Sequence, residues 1–417
     1  MIHYINMEHH INLSDQPLVI ISTMGQVSNG KSSLIKILTG INPMKFKKEA
    51  EKSMTIKLGY TNCKLYKCSN CPAPNCYQTK EICAQCDSQT ELKLFVSFID
   101  SPGHSNLQAT ALSGASTVDF SLLLAAANCQ EDPETNEHYK ANKILNLTDK
   151  TFIIHNKIDL VTKDQAYDHY DKLKQTYDIK YVIPLCAQFG FGISYLIQFL
   201  IEKIPYPIND TLTAKINKPL KANIIRSFDI NKVGTPIDSI VGAIVGGTIK
   251  SGFIKIGDII KIIPGIISSN NIAKPLIAQV TSLKTDNTPL QIAYPGGLIG
   301  IGLTLDATLS KEDRLSGNYI INEYDTSYTI FKQATMTYNN YNDDTEEITL
   351  KRNDSVVLLL GSTKRNIKII EIDTKTKTIT FESNADLATD YSDQVVITKN
   401  NKILLYGNIT SVIPNPS

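Results

Sequence analysis

Between residues 18 and 204, short apolar runs alternate with longer stretches in which apolar side chains return every three or four positions. The runs 18–23, 92–99, 120–126, 151–155 and 181–185 have strand length and little polar alternation, as expected of strands buried on both faces. The stretches 34–39, 133–147, 164–177 and 193–204 carry helical spacing. Strand and helix taking turns predict an α/β unit, a parallel sheet covered by helices. Pro205 and Pro207 stop the last helix and place a boundary there, so the first unit spans 1–206.

Beyond that point the texture changes. The β-rich runs 222–228, 241–249, 259–263, 278–283 and 298–303 are punctuated by turns such as Pro264-Gly265 and Pro295-Gly296-Gly297, with no helical period of comparable length. They predict a β-barrel over 207–322. A further set of strands at 356–360, 367–372, 378–381, 394–398 and 403–405 predicts a second β-barrel over 323–417, each closing to hide its strand edges.

A length of 417 residues agrees with two or three domains. Lys plus Arg number 42 and Asp plus Glu 41, so there is no global field to attract nucleic acid or a membrane, and any RNA site must be local. Residues 1–15 lack the charged start and apolar run of a signal peptide, and no stretch approaches the roughly 20 apolar residues of a membrane span. A soluble cytoplasmic protein is expected. Six of the eight cysteines crowd between Cys63 and Cys86, which points to metal in a reducing compartment and away from a disulfide framework.

The chemistry begins at Gly25-Gln26-Val27-Ser28-Asn29-Gly30-Lys31-Ser32, which lies between the first strand and the first helix. In this G-x-x-x-x-G-K-[ST] order, small residues let successive N–H groups curl around a phosphate at a helix N-terminus. Lys31 is placed to reach the β and γ phosphates and Ser32 to offer its hydroxyl to Mg²⁺. Downstream, Asp100-Ser101-Pro102-Gly103-His104 follows a strand, where α/β sheets place ligands. Asp100 suits the Mg²⁺ shell, the Gly103 N–H a γ-phosphate, and His104 an attacking water. Asn156-Lys157-Ile158-Asp159 closes another strand in an order that suits guanine, because the Asp carboxylate accepts from N1–H and the exocyclic N2–H, a pair that adenine lacks. Cys186-Ala187-Gln188 follows a later strand and can offer backbone N–H groups to the base carbonyl. Thr55 stands between the phosphate loop and Asp100, where a switch segment carries a hydroxyl to the ion.

The pairs Cys68-x-x-Cys71 and Cys83-x-x-Cys86, eleven residues apart, fit a closed structural Zn²⁺ site of four thiolates in an insertion over about 63–90. Cys63 and Cys76 are spare, and either can replace a member of that set.

These motifs resemble the translational GTPases, and within them the gamma-subunit family of archaeal and eukaryotic translation initiation factor 2. The likeness runs over nearly the whole chain through residues 56–60, 96–104, 112–116, 156–160, 226–232 and 295–300, and fades in the last unit. It implies a GTP/GDP-binding domain and two β-barrels at the core of a three-subunit factor. Alpha and beta subunits would dock on the first barrel and the GTPase domain, and the factor would carry initiator methionyl-tRNA to the small ribosomal subunit. GTPase-activating and nucleotide-exchange factors would act on it. Carried over by position, Ser28, Asn29, Gly30, Lys31, Ser32 and Ser33 match the phosphate loop, and Asn156, Lys157, Ile158, Asp159, Cys186, Ala187 and Gln188 the base site. Ser32 and Thr55 match the magnesium ligands, Asp100 acts through water, and Ser28 and Ser53 match positions that approach a metal in some members. Gln26, Asn29 and Cys186 depart from the family, which often has His at the first two positions and Ser at the third. A metabolic enzyme subunit built on the same architecture, like the GTPase partner of sulfate adenylyltransferase, and a nucleotide-binding scaffold without turnover are the competing readings.

Overall fold

The computed structural model describes residues 12, 14–41, 59–102, 118–129, 133–205, 210–341, 350–400 and 402–414. Ser53, Thr55, Gly103 and His104 lie outside the described residues. The α/β unit contains strands β1 (Val19–Met24), β2 (Gly59–Lys67), β3 (Tyr77–Gln78), β4 (Glu91–Asp100), β5 (Phe120–Ala126), β6 (Thr151–Asn156) and β7 (Val182–Pro184). Its helices are α1 (Lys31–Thr39), α2 (Pro133–Ile144), α3 (Lys163–Thr176) and α4 (Ile193–Lys203). The sheet order is β3-β2-β4-β1-β5-β6-β7. From β4 to β7 the pairings are parallel, whereas β2 runs antiparallel to β4, and β3 to β2. Thus the sheet is mixed where a parallel one was expected. The pair β2–β3 escaped the pattern of apolar runs because β2, Gly-Tyr-Thr-Asn-Cys-Lys-Leu-Tyr-Lys, largely alternates buried with half-buried positions.

A short helix, α5 (Asp210–Ile216), buries Leu212 and Ile216 against Leu18 and Tyr294. At seven residues it is too short for periodicity to register. The first barrel follows with β8 (Lys221–Phe228), β9 (Ile244–Ser251), β10 (Ile254–Lys255), β11 (Ile259–Ile267), β12 (Ala273–Thr285), β13 (Thr288–Leu290), β14 (Ile292–Ala293), β15 (Ile299–Leu303) and β16 (Tyr319–Asn322). Six of these form a ring in the order β11-β16-β8-β9-β15-β12, closed by the β11–β12 pairing. The strand expected over 241–249 starts later, at Ile244, and runs to Ser251. The second barrel has β17 (Thr329–Asn340), β18 (Ser355–Leu360), β19 (Thr363–Asp373), β20 (Thr378–Thr389), β21 (Gln394–Lys399) and β22 (Lys402–Pro414), closed in the order β17-β20-β19-β18-β21-β22. Each barrel buries its own aliphatic core, one around Ile224, Ile262 and Ile301 and the other around Phe331, Leu358 and Phe381.

Three junctions join these units. The Gln16 amide donates to the Tyr294 carbonyl at 3.1 Å and accepts from the Tyr294 N–H at 2.9 Å, so a buried side chain replaces a strand partner for the first barrel. Beside it, the Ser97 hydroxyl accepts from the Leu298 N–H at 3.0 Å and donates to Asn62 at 2.7 Å. Asn62 in turn donates to Asp286 at 2.9 Å. Between the barrels, the Lys221 ammonium reaches Asp390 and Asp393 at 3.0 and 2.9 Å. Finally, Ala141 and Ile144 of α2 pack on Leu359, Val396 and Ile403 of the second barrel. Among the described residues, no helix is long and apolar enough to cross a membrane.

Candidate functional site

β1 ends at Met24, and the loop from Gly25 to Gly30 turns the chain into α1. Ser28 and Gly30 both sit in the left-handed region, at φ 68° and 96°. A Cβ at Gly30 would collide with the Asn156 amide, so a side chain there would part the phosphate loop from the base-side strand. Gly30 caps α1 without a side-chain hydrogen bond, which leaves the helix dipole turned toward the loop. Lys31 is buried across this loop, and its ammonium donates to the carbonyls of Gly25 and Gln26, both at 2.8 Å. The Ser32 hydroxyl donates to Asp100 Oδ2 at 2.6 Å, and Thr23 holds the other carboxylate oxygen at 3.0 Å. Hence the two residues read as magnesium-shell candidates meet, although 68 residues separate them. Ser33 is exposed on the first turn of α1.

On the base side, the Asn156 amide donates to the Asn29 carbonyl at 2.8 Å and accepts from the Ala187 N–H at 3.0 Å. One buried side chain therefore ties the phosphate loop to the Cys186–Gln188 loop. Lys157 adopts φ 61°, and Asp159 is exposed at the strand end, where it is open to a base. The buried Cys186 thiol has its pKa raised, first by burial and then by contact with the Asp159 carboxylate. Its backbone pairs with Phe191, which shapes the turn that presents Gln188 to solvent.

In the insertion, the thiols of Cys68, Cys71, Cys83 and Cys86 lie within 4.8 Å of one another. The Cys68 and Cys86 sulfurs stand 3.5 Å apart and those of Cys71 and Cys83 3.7 Å. Cys63 stands apart, donating to the Leu38 carbonyl at 3.3 Å, and burial pushes its thiol up to about 12. Cys76 is buried outside the group, and its carbonyl accepts from the Cys68 N–H. The choice among six cysteines that spacing left open thus becomes a set of four.

Residues 16–206 match the family described as the Elongation factor Tu GTP binding domain. The eukaryotic translation initiation factor 2 subunit gamma of Encephalitozoon cuniculi is 38% identical over 370 residues, covering 84% of this chain and 82% of that protein. Its counterpart in Schizosaccharomyces pombe is 34% identical over 393 residues, covering 87% and 86%. The chain belongs to the gamma-subunit family of translation initiation factor 2. It is a GTP-binding core subunit and a translational GTPase. The translation elongation factor SelB of Methanococcus maripaludis, solved in complex with the GTP analogue GPPNHP, shares the fold with a TM-score of 0.70 at 18% identity, over 96% of this chain and 80% of that one.

The cysteine cluster of this family member passes a geometric test for zinc. Four sulfurs about 2.3 Å from a tetrahedral ion lie roughly 3.8 Å apart, close to the thiol separations here. Cys68, Cys71, Cys83 and Cys86 are the residues that would hold the ion, with no open position for chemistry. Sequence reasoning missed Thr23 and Thr135, which hold Asp100 and the phosphate loop. No local signal marks them, since each is an ordinary threonine until the sheet brings its partner close.

It also left undescribed a cavity of about 430 Å³ between β2 and the first barrel, lined among others by Tyr60, Asn62, Arg226, Phe228, Gly246 and Gly300. The Arg226 guanidinium lies over the Phe228 ring at 5.4 Å and is anchored by Asp313 at 2.8 Å. Gly246 and Gly300 face each other across β9 and β15, leaving bare backbone in the cavity wall. Among the described residues the buried Tyr60 hydroxyl has no hydrogen-bond partner, and burial holds it protonated.

Proposed function

We propose that this chain is the nucleotide-switched core of initiation factor 2. In this reading it works in the cytoplasm, delivering initiator methionyl-tRNA to the small ribosomal subunit in the GTP state and releasing it after hydrolysis. Its units divide at 206 and 322, with the alpha subunit on the first barrel and the beta subunit on the GTPase domain. Ser28 to Ser33 hold the phosphates, while Asn156 to Asp159 and Cys186 to Gln188 hold guanine. Ser32 and Thr55 take Mg²⁺, Asp100 contacts it through water, and Ser28 and Ser53 stand close by. Gly103 contacts the γ-phosphate and His104 orients the attacking water. No arginine is assigned to the transition-state charge, so intrinsic turnover is slow, and a separate activating protein supplies what is missing, worth about 10³ to 10⁵ in rate. Another protein promotes exchange.

The observation that carries this reading is the cavity beside Tyr60 and Arg226. Its position couples it to the nucleotide: Gly59, at the start of β2, pairs with Asp100, at the end of β4. One strand emerges from the segment that contains Thr55, and the other leads into Gly103. A γ-phosphate that orders those segments therefore acts on the wall that carries Tyr60. A guanidinium–aromatic pair, a buried hydroxyl and a bare glycine floor suit the base and carbonyl oxygens of an aminoacylated RNA end. The coupling between the two ligands is about 1 to 3 kcal/mol, or roughly 5- to 150-fold in affinity.

The test is a filter-binding titration of charged and uncharged initiator tRNA in GTP analogue and in GDP, with Gly300→Val as the cavity variant. Among the described residues a Cβ at Gly300 meets only the Lys284 carbonyl, at 3.6 Å, so the fold accepts it while the cavity narrows. Charged tRNA in GTP analogue should bind best and lose at least tenfold in the variant. Equal affinities in all four combinations would remove the carrier reading.

A further inference from the structure

Thr135 lies in the first turn of α2, fully buried, and no motif assigns it a role. Its hydroxyl accepts from the Gln26 N–H at 2.9 Å and from the Asn29 side-chain amide at 3.1 Å. That amide also donates to the Leu124 carbonyl, at 2.8 Å. Two residues of the phosphate loop thus hang on one oxygen. Farther along the same helix, the Asn142 amide donates to Ser121 of β5 at 2.9 Å, which pins α2 to the sheet. The Glu137 carbonyl accepts from the Tyr341 hydroxyl at 2.9 Å, and Ala141 and Ile144 sit in the apolar contact with the second barrel. From Thr135 to Ile144, nine residues of helix span about 14 Å as a rigid rod.

We infer that Thr135 is a positioning residue for the bound nucleotide, and that α2 is a strut through which the seating of the second barrel sets the shape of the phosphate loop. The hydroxyl belongs to α2 and not to the loop. It acts through Gln26 and Asn29, fixing the loop in the closed turn from which the remaining N–H groups can reach an anion. Removing the oxygen while keeping the shape takes away one acceptor shared by Gln26 and Asn29, which loosens the hold of α2 on the loop. Every step concerns the GTP-binding site itself, so the inference stands or falls independently of the tRNA reading.

The experiment measures release of a fluorescent GDP analogue from the full chain by stopped flow. The variants are Thr135→Val, which removes the hydroxyl, and Thr135→Ser, which keeps it. Melting of each nucleotide-free variant is followed to separate loop positioning from general loss of fold. Thr135→Val should release GDP about tenfold faster with an unchanged melting temperature, and Thr135→Ser should restore the parental rate. Tyr341→Phe, which removes the anchor on Glu137, should speed release severalfold in the Thr135 background and add nothing to Thr135→Val, because both act along one path. Equal rates for the valine and serine variants would overturn the positioning role. Additive effects of Tyr341→Phe and Thr135→Val, or no effect of Tyr341→Phe alone, would overturn the strut.

Discussion

Substituting Gly297 with Ala tests whether the cavity between β2 and the first barrel depends on one tight docking turn. Gly297 stands at φ 62°, and a Cβ there would run into the Pro17 carbonyl and lie 2.8 Å from Pro17 Cγ. Holding an alanine in the left-handed region costs roughly 1 to 2 kcal/mol by itself. The collision cannot be relieved by a side-chain rotation, because the obstacle is backbone and a proline ring, so the turn has to withdraw. Withdrawal breaks the paired hydrogen bonds between Gln16 and Tyr294, worth roughly 1 kcal/mol each. Together the docked arrangement loses about 3 kcal/mol, roughly 150-fold in its population relative to an undocked one. Hydrogen exchange reads this directly, since the Tyr294 and Leu298 amides donate across the junction to Gln16 and Ser97. Both amides should exchange faster in Gly297→Ala and tRNA affinity should fall, while GDP affinity, set about Gly25 to Ser32, stays at the parental value. Unchanged protection of both amides together with unchanged tRNA binding would refute the reasoning.

Asp159→Asn should shift preference from GTP to XTP, because the new amide donates toward the 2-oxo group of xanthine; equal binding of ATP and GTP by the parental chain would count against a guanine site. Metal analysis should find one zinc per chain, lost in Cys83→Ser and kept in Cys76→Ser, since only the first thiol belongs to the group of four; the reverse pattern would reassign the ligands. The His155 pKa is pushed down to about 4, first by burial and then by His169, whose Nδ1 lies 3.1 Å from His155 Nε2. The neutral ring is the one the fold accepts, so its contribution is complete above the unfolded value of 6.5 and fades as pH falls toward 4. The loss is up to about 3 kcal/mol, and denaturant titrations at pH 7 and 5 should show a smaller loss for His155→Gln than for the parental chain.

Much of this protein is decided within short stretches. The run from Gly25 to Ser32 specifies a phosphate loop because glycine conformation, a helix N-terminus and a reachable lysine are local properties. Asn156 to Asp159 reads as a guanine site because one carboxylate matches two donors. The long apolar runs predict the central strands, since strands buried on both faces need no partner to declare themselves. By contrast, β2 was not legible, because a half-covered strand at one side of a mixed sheet has the alternation of many exposed segments.

Tertiary structure decided the rest, and sequence distance is the reason. Thr135 meets Gln26 across 109 residues and Gln16 meets Tyr294 across 278, so neither pairing leaves a local trace in composition or period. The cysteine cluster shows the division within a single site. Spacing limits the candidates to six crowded cysteines, but the turn through Cys76 and the strand that carries Cys63 determine which four sulfurs converge. A metal site is a statement about distances of a few ångströms, and those follow from how β2, β3 and the loops between them pack.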